Sequence, residues 1–296
     1  MSEPQQNRVL SIQSHVVSGY VGNKSATFPL QLLGYEVDAI NSVQLSNHTG
    51  YKVFKGQILN DEDLGVLAAG LAENDLDTYS HLLTGYVGSA SFLKKIAQLV
   101  PLLKKKNPNL KYVCDPVMGD NGHMYVPEEL KDIYKNHIVP LADTITPNQF
   151  ELELLTNVKI SSMEDLKKAI EVLHIMGPKI IAVSSTDLNN KLTAVVSNVK
   201  DKTKISINIP KIPAMYTGSG DLFAALFLAH SDSKDVRTAL EKTINTVHGV
   251  LQKTHECCLE NKDQKAQSAR KIELRLIQSK AIIENPPKKL TAEVLM

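Results

Sequence analysis

The sequence predicts an α/β fold of three layers, with helices covering both faces of a central, mostly parallel sheet. Three observations predict it. From Val9 onward, short apolar runs alternate with longer stretches of helical periodicity. Polar residues gather just beyond the carboxyl ends of the apolar runs, the edge where open α/β sheets bind ligands. No linker, internal repeat or low-complexity segment breaks the pattern, so residues 1–296 read as one domain, although length alone suggests two.

The elements follow in order. Val9 to Gln13 reads as a buried strand, Asn23 to Leu33 as a helix and Val37 to Val43 as the next strand. Asn60 is placed to cap a helix through Ala72, with Asp61, Glu62 and Asp63 at its positive end. Leu82 to Thr84 is a short strand. Ser89 opens a helix that closes on Lys104, Lys105 and Lys106, a solvated helix end or a site for an anionic partner. Tyr112 to Cys114 is a strand, Pro127 to His137 a helix, Thr144 to Thr146 a brief strand and Asn148 to Leu155 a short helix. Ser161 with Glu164 reads as a capping box for the helix ending near Gly177. A strand over Lys179 to Ser184 precedes paired strands, Leu192 to Asn198 and Ile205 to Ile209, turning at Lys200-Asp201-Lys202. Helices over Gly220–Ala229 and Val236–Cys258 follow. Residues 1–7 read as a flexible start and 260–271 as a polar mobile loop.

Composition narrows the function. With 33 Lys+Arg against 32 Asp+Glu, the chain lacks the basic surface of a nucleic-acid binder. Its longest apolar run, Leu222 to Ala229, falls far short of the roughly 20 residues of a membrane span. The N-terminus has no secretory pattern, and three cysteines suit a reducing compartment, so a cytoplasmic protein is expected. Adjacent Cys257 and Cys258 are ordinary helix thiols or a redox switch. HExxH, CxxC, GxSxG, Walker and dinucleotide motifs are all missing.

The sharpest local signal is Thr217-Gly218-Ser219-Gly220-Asp221, running straight into an apolar helix. Glycines let backbone approach a ligand closely, and helix N–H groups turn towards it, an arrangement suited to a phosphate in transfer. A carboxylate beside phosphate is repulsive unless it takes a proton, so Asp221 is either the base of a phosphoryl transfer or merely a helix-start residue. Asp115, Asp120 and Glu151 form a candidate cation pole with Asn148 nearby; the alternative is a turn and a helix-dipole partner.

At these residues the chain resembles the pyridoxal kinases, vitamin B6 kinases of the ribokinase-like superfamily, and among them the animal enzymes most. The resemblance rests on Ser11-Ile12-Gln13-Ser14-His15, Ser46-Asn47-His48-Thr49-Gly50-Tyr51, Thr146-Pro147-Asn148-Gln149-Phe150-Glu151 and Gly218-Ser219-Gly220-Asp221, and runs from Arg8 to the C-terminus. It implies a ribokinase-like α/β/α fold and ATP-dependent phosphorylation of the 5′-hydroxyl of pyridoxal, pyridoxine and pyridoxamine. Ser14, Thr49 and Asp221 are then expected to hold pyridoxal, with Tyr86 stacking and Val21 and Leu45 as walls. Asp221 takes the hydroxyl proton, and Gly218, Ser219 and Gly220 form the anion hole. Asp120 and Glu151 are expected to organise Mg2+ or Zn2+, and Asp115, Thr146 and Ser184 to hold K+ or Na+. ATP is expected to meet Asp115, Tyr125, Asn148, Gln149, Phe150, Glu151, Ser184, Ser185 and Ser219, with Ile212, Pro213 and Ala214 at adenine. The family is dimeric and cytosolic, so a homodimer is expected.

Departures from that pattern include a shorter flap at Asn121–Tyr125 than mammalian members have, serines for threonines at Ser184 and Ser219, and Leu45 for an aromatic residue. Two other readings stand beside it. A hydroxymethylpyrimidine kinase shares the anion hole but commonly carries cysteine where Asp221 stands. A non-catalytic vitamin B6 carrier would keep the pocket and lose the base or the cation pole.

Overall fold

The computed structural model describes residues 7–200, 203–231, 235–260 and 268–295. The chain begins with β1 (Arg8–Val16), α1 (Asn23–Leu32), β2 (Glu36–Leu45), β3 (Gly56–Ile58), α2 (Asp61–Glu73) and β4 (His81–Thr84). It continues with α3 (Ala90–Lys106), β5 (Lys111–Cys114), a small hairpin of β6 (Gly119–Asp120) and β7 (His123–Met124), α4 (Glu129–Ile133), β8 (Thr144–Ile145) and α5 (Gln149–Thr156). Then come α6 (Met163–Ile175), β9 (Ile180–Leu188), β10 (Lys191–Asn198), β11 (Thr203–Ile209), α7 (Ser219–Ser231), α8 (Val236–Glu260), α9 (Ser268–Lys271), α10 (Lys280–Glu284) and β12 (Glu293–Val294).

Ten of these strands form one sheet among the described residues, ordered β12-β11-β10-β9-β8-β5-β4-β1-β2-β3. The run from β9 to β2 is parallel; β10, β11 and β12 extend it antiparallel at one side and β3 at the other. Strand side chains alternate between two covered faces, which is why these strands read as continuous apolar runs. Leu10, Ile12, Leu82, Tyr112 and Ile145 pack into the core shared with α2, α3, α5 and α6. Val9, Leu83 and Val113 point the other way, against Ala26 and Leu30 of α1 and Ala224, Ala225 and Leu228 of α7. Helix α7 is apolar all round because it lies between the sheet, α1 and α8.

Helix ends follow the polar residues beside them. Asn60 and Asp63 close a reciprocal capping box on α2, and Ser89 caps α3. The box expected at Ser161 and Glu164 is one residue off: Ser162 adopts the extended cap conformation and accepts the Asp165 amide, while the Ser161 hydroxyl donates to the Asp165 carboxylate. The helix expected over Pro127–His137 is α-helical only over Glu129–Ile133, then widens to a π turn (Tyr134–Ile138) and tightens to a 3₁₀ turn (Val139–Leu141). Pro140 has no N–H to continue the ladder, and the changes of pitch bury Tyr134, Ile138 and Val139 together.

Part of the expected 260–271 loop is helical, since Ser268–Lys271 forms α9; residues 261–267 lie outside the described residues, as do 1–6 of the expected flexible start and Asp201-Lys202 of the expected turn. No described helix is long and apolar enough to cross a membrane.

Candidate active site

The register of β1 against β2 shifts between Gln13 and Ser14, at the carboxyl edge of the sheet. Beyond that edge the strand ends enclose a cavity of about 400 Å³. Ser14, Thr49, Tyr86, Val21 and Leu45 line it, with Val16 and Val43 adding apolar wall. Asp115, Asp120, Tyr125, Thr146, Asn148, Glu151, Ser184 and Ser185 line it too, as do Gly218, Ser219, Gly220 and Asp221.

The glycine turn is constrained by its neighbours. Gly218 has φ +83, and a Cβ there would sit 2.3 Å from the Tyr20 carbonyl, so the turn admits no side chain at this position. The Ser25 hydroxyl donates to the Gly218 carbonyl at 3.0 Å, tying the turn to α1. Ser219, Gly220 and Asp221 then form the first turn of α7, whose amides lack helical partners, and all three residues line the cavity. Asp221 is half-buried, and burial raises its carboxyl above the usual range, opposed by a hydrogen bond from the Gly22 amide. A base of raised pKa binds an alcohol proton more readily.

The acidic side of the cavity holds more negative charge than its surroundings neutralise. Asp115 is buried; its Oδ1 accepts from Thr146 Oγ1 at 3.2 Å, while Oδ2 has no hydrogen-bond partner among the described residues. That oxygen lies 3.9 Å from where a Cβ on Gly220 would stand. Burial pushes Asp115 well above the carboxylate range, and the Glu151 and Asp221 charges add to it. Glu151 sits at the third position of α5 and closes the capping box with Asn148. Its Oε1 accepts from the Met118 amide at 3.0 Å and the Gly119 amide at 3.5 Å, and its Oε2 from the Asn148 amide at 2.9 Å. Burial still pushes Glu151 up to about 8 against those three donors. Asp120, half-buried on the β6–β7 hairpin, is raised by burial against the opposing Asn121 amide.

A buried carboxyl with an unpartnered oxygen can take up a cation in place of a proton. The donors here are all oxygens, and among the described residues no group of three or more His, Cys, Asp and Glu could hold a metal ion alone. Such a set fits a hard ion that completes its shell with substrate phosphates and water.

Five residues expected to meet ATP, Gln149, Phe150, Ile212, Pro213 and Ala214, are not among those that line the cavity. The Gln149 amide is used between α5 and β9: its Oε1 accepts from Thr186 Oγ1 at 2.7 Å and the Asp187 amide at 3.2 Å. The Phe150 ring packs against the Gly119 backbone, where it would meet any Cβ at 2.7 Å. Ile212, Pro213 and Ala214 form a partly exposed turn outside the cavity lining. The structure also brings in His48, Tyr216 and Ile272, which the sequence did not single out as site residues, and the orienting Gly22 amide. His48 lies within the Ser46–Tyr51 motif; Ile272 had no local signal, because a distant segment carries it there.

Comparison with known proteins shows the family. A family model described as phosphomethylpyrimidine kinase matches residues 72–265. The chain is 47% identical to human pyridoxal kinase, covering 97% of this chain and 98% of that one. It is 50% identical to the pyridoxal kinase of Arabidopsis thaliana, covering 97% and 94%. The structure of Leishmania donovani pyridoxal kinase with ADP and pyridoxamine aligns with a TM-score of 0.89 at 32% identity, covering 98% of this chain and all of the other. Its complex with ADP and pyridoxine aligns at 0.90. Such identity along nearly the whole of both chains, on a superposable ribokinase-like fold, makes this chain a member of the pyridoxal kinase family.

Proposed function

We propose that this protein transfers the γ-phosphoryl group of ATP to the 5′-hydroxyl of pyridoxal, giving pyridoxal 5′-phosphate and ADP, and that it also accepts pyridoxine and pyridoxamine. The observation that carries the reading is the placement of Asp221 beside the glycine turn, on the same cavity as Ser14 and Thr49. The complexes of the Leishmania donovani relative with ADP and either pyridoxamine or pyridoxine support the range of vitamers.

In this reading Ser14 and Thr49 bind the pyridine ring substituents, and Tyr86, Val21 and Leu45 cover its faces. Asp221, oriented by the Gly22 amide, accepts the 5′-hydroxyl proton as the oxygen attacks phosphorus. The amides of Gly218, Ser219 and Gly220 meet the charge that grows on the transferring group, aided by the α7 dipole. Asn148, Ser184 and Ser185 face the cavity and reach the nucleotide phosphates, with Tyr125 on the flap.

Asp120 and Glu151 hold a divalent ion, and the oxygen-only donors favour magnesium over zinc. Asp115, Thr146 and Ser184 hold a monovalent cation, potassium or sodium, with Asp115 Oδ2 as the open ligand. When bound, these ions offset phosphate charge. The family reading also carries a cytoplasmic homodimer acting in vitamin B6 salvage, to be checked by sedimentation and cell fractionation. Incubating the purified protein with ATP, magnesium, potassium and pyridoxal should develop the absorbance of pyridoxal phosphate. No product under those conditions overturns the reading.

A further inference from the structure

Glu273 is a buried carboxylate that the proposed reaction leaves without a role, only 4% exposed. It follows α9 and forms a parallel bridge with Thr217, whose amide donates to the Ile272 carbonyl at 3.0 Å. Thr217 directly precedes Gly218 of the anion turn.

The same carboxylate reaches a second loop that lines the cavity. Its Oε1 accepts the Tyr51 hydroxyl at 2.7 Å and faces His48 Nε2 at 3.6 Å. His48 is buried, and its Nδ1 accepts the Gly50 amide at 3.2 Å. A neutral ring therefore carries its proton on Nε2, directed at the Ala269 carbonyl at 3.2 Å and at Glu273. The His48 and Tyr51 rings meet edge to face at 4.8 Å. Between them in sequence stands Thr49, exposed at the cavity. A third segment touches the same atom: a Cβ on Gly19 would lie 2.9 Å from Glu273 Oε1. Burial raises the Glu273 pKa, but the His48 ring beside it, the Tyr51 hydroxyl and the Arg270 charge outweigh it, and the group stays below its usual value, an ionised acceptor.

We propose that Glu273 is a positioning residue: through Tyr51 and His48 it fixes the Thr49 loop relative to the Gly218–Gly220 turn, so that the vitamin alcohol and the phosphate cradle keep their separation. The inference rests on the reading that Thr49 binds the vitamin. Removing the charge loosens one wall of the vitamin pocket and leaves the acidic pole that faces ATP in place.

Glu273→Gln keeps the size of the side chain without its charge, and Tyr51→Phe removes one hydroxyl only. In each variant KM for pyridoxal should rise roughly tenfold, the scale of one charge-assisted hydrogen bond. Affinity for ATP, measured separately by nucleotide titration, should stay within about twofold, and the double variant should be no worse than the worse single one. An unchanged KM with a lowered Tm makes Glu273 a plain structural staple and overturns the proposal, as does an equal loss of ATP affinity. Should Glu273→Gln fail to fold, Tyr51→Phe decides the matter. The wild-type protein in the same assay separates the two levels: no turnover there sinks the kinase reading and this inference together, whereas normal turnover with unaffected variants sinks only the inference.

Discussion

The backbone N–H of Gly22, the N-cap of α1, lowers the pKa of Asp221 in the first turn of α7 against the burial that raises it. Gly22 has φ +52, and a Cβ there would stand 2.1 Å from the Ser14 carbonyl and 2.3 Å from its hydroxyl. The proposed base, the group that orients it and a proposed substrate contact are thus in direct succession, and each constrains the next.

Asp221→Asn should keep an acceptor for the Gly22 amide while losing the base. We expect kcat to fall about 10³-fold, within the range general bases contribute, with ATP affinity and Tm nearly unchanged. Steady-state rates beside nucleotide titrations and thermal melts test this, and near-normal turnover would remove the base assignment.

Gly22→Ala should cost about 2–4 kcal/mol of stability, from left-handed strain and the collision with Ser14, and should lower kcat as the amide shifts. Gly34 is the comparison, because it has φ +88 with nothing within 4 Å of where a Cβ would stand. Gly34→Ala should cost only about 1 kcal/mol with unchanged turnover. Equal effects from chemical denaturation of the two variants would contradict the account.

Stability without ligands should depend on pH with a definite sign. Glu151 moves from 4.5 to about 8 on folding, and Asp115 is raised too, so the folded protein binds protons that the unfolded chain has released. Stability from Glu151 is therefore lost as pH rises from about 4.5 to about 8, with no further loss above. A bound cation replaces those protons, so added magnesium should raise Tm more at pH 8 than at pH 6. Glu151→Gln should flatten that difference and raise the magnesium needed for half-maximal rate; an unaltered titration would count against the cation assignment.

Asp115→Asn should blunt activation by potassium, because it converts the one unpartnered buried oxygen of that carboxyl pair into a neutral group. Rates measured across potassium concentrations, with sodium or a large organic cation as replacement, read this directly. A full potassium response in the variant would place the monovalent cation elsewhere.

Much of this was legible in the chain because the signals are local. The alternation of apolar runs foretold the parallel sheet, since strands buried on both faces need few polar residues. Asn60, Ser89 and Asn148 cap the helices expected of them, because a short polar side chain reaches only the amides next to it. The strands β3, β6, β7 and β12 escaped notice: each has two or three residues, too few to show a period. Ser161 and Ser162 both precede a helix, and which one caps it depends on where the chain arrives from.

By itself the sequence determined the layered α/β class, the caps of α2, α3 and α5 and the glycine turn with Asp221 behind it, since each depends on neighbours within a few residues. Only the tertiary structure decided what faces the cavity. It turned the Gln149 amide towards β9, left Asp115 Oδ2 bare beside Gly220, and carried Glu273 across the site to Tyr51. The reason is physical: hydrogen-bond satisfaction and burial are properties of the packed whole, and segments more than two hundred residues apart in sequence meet only once the sheet has assembled.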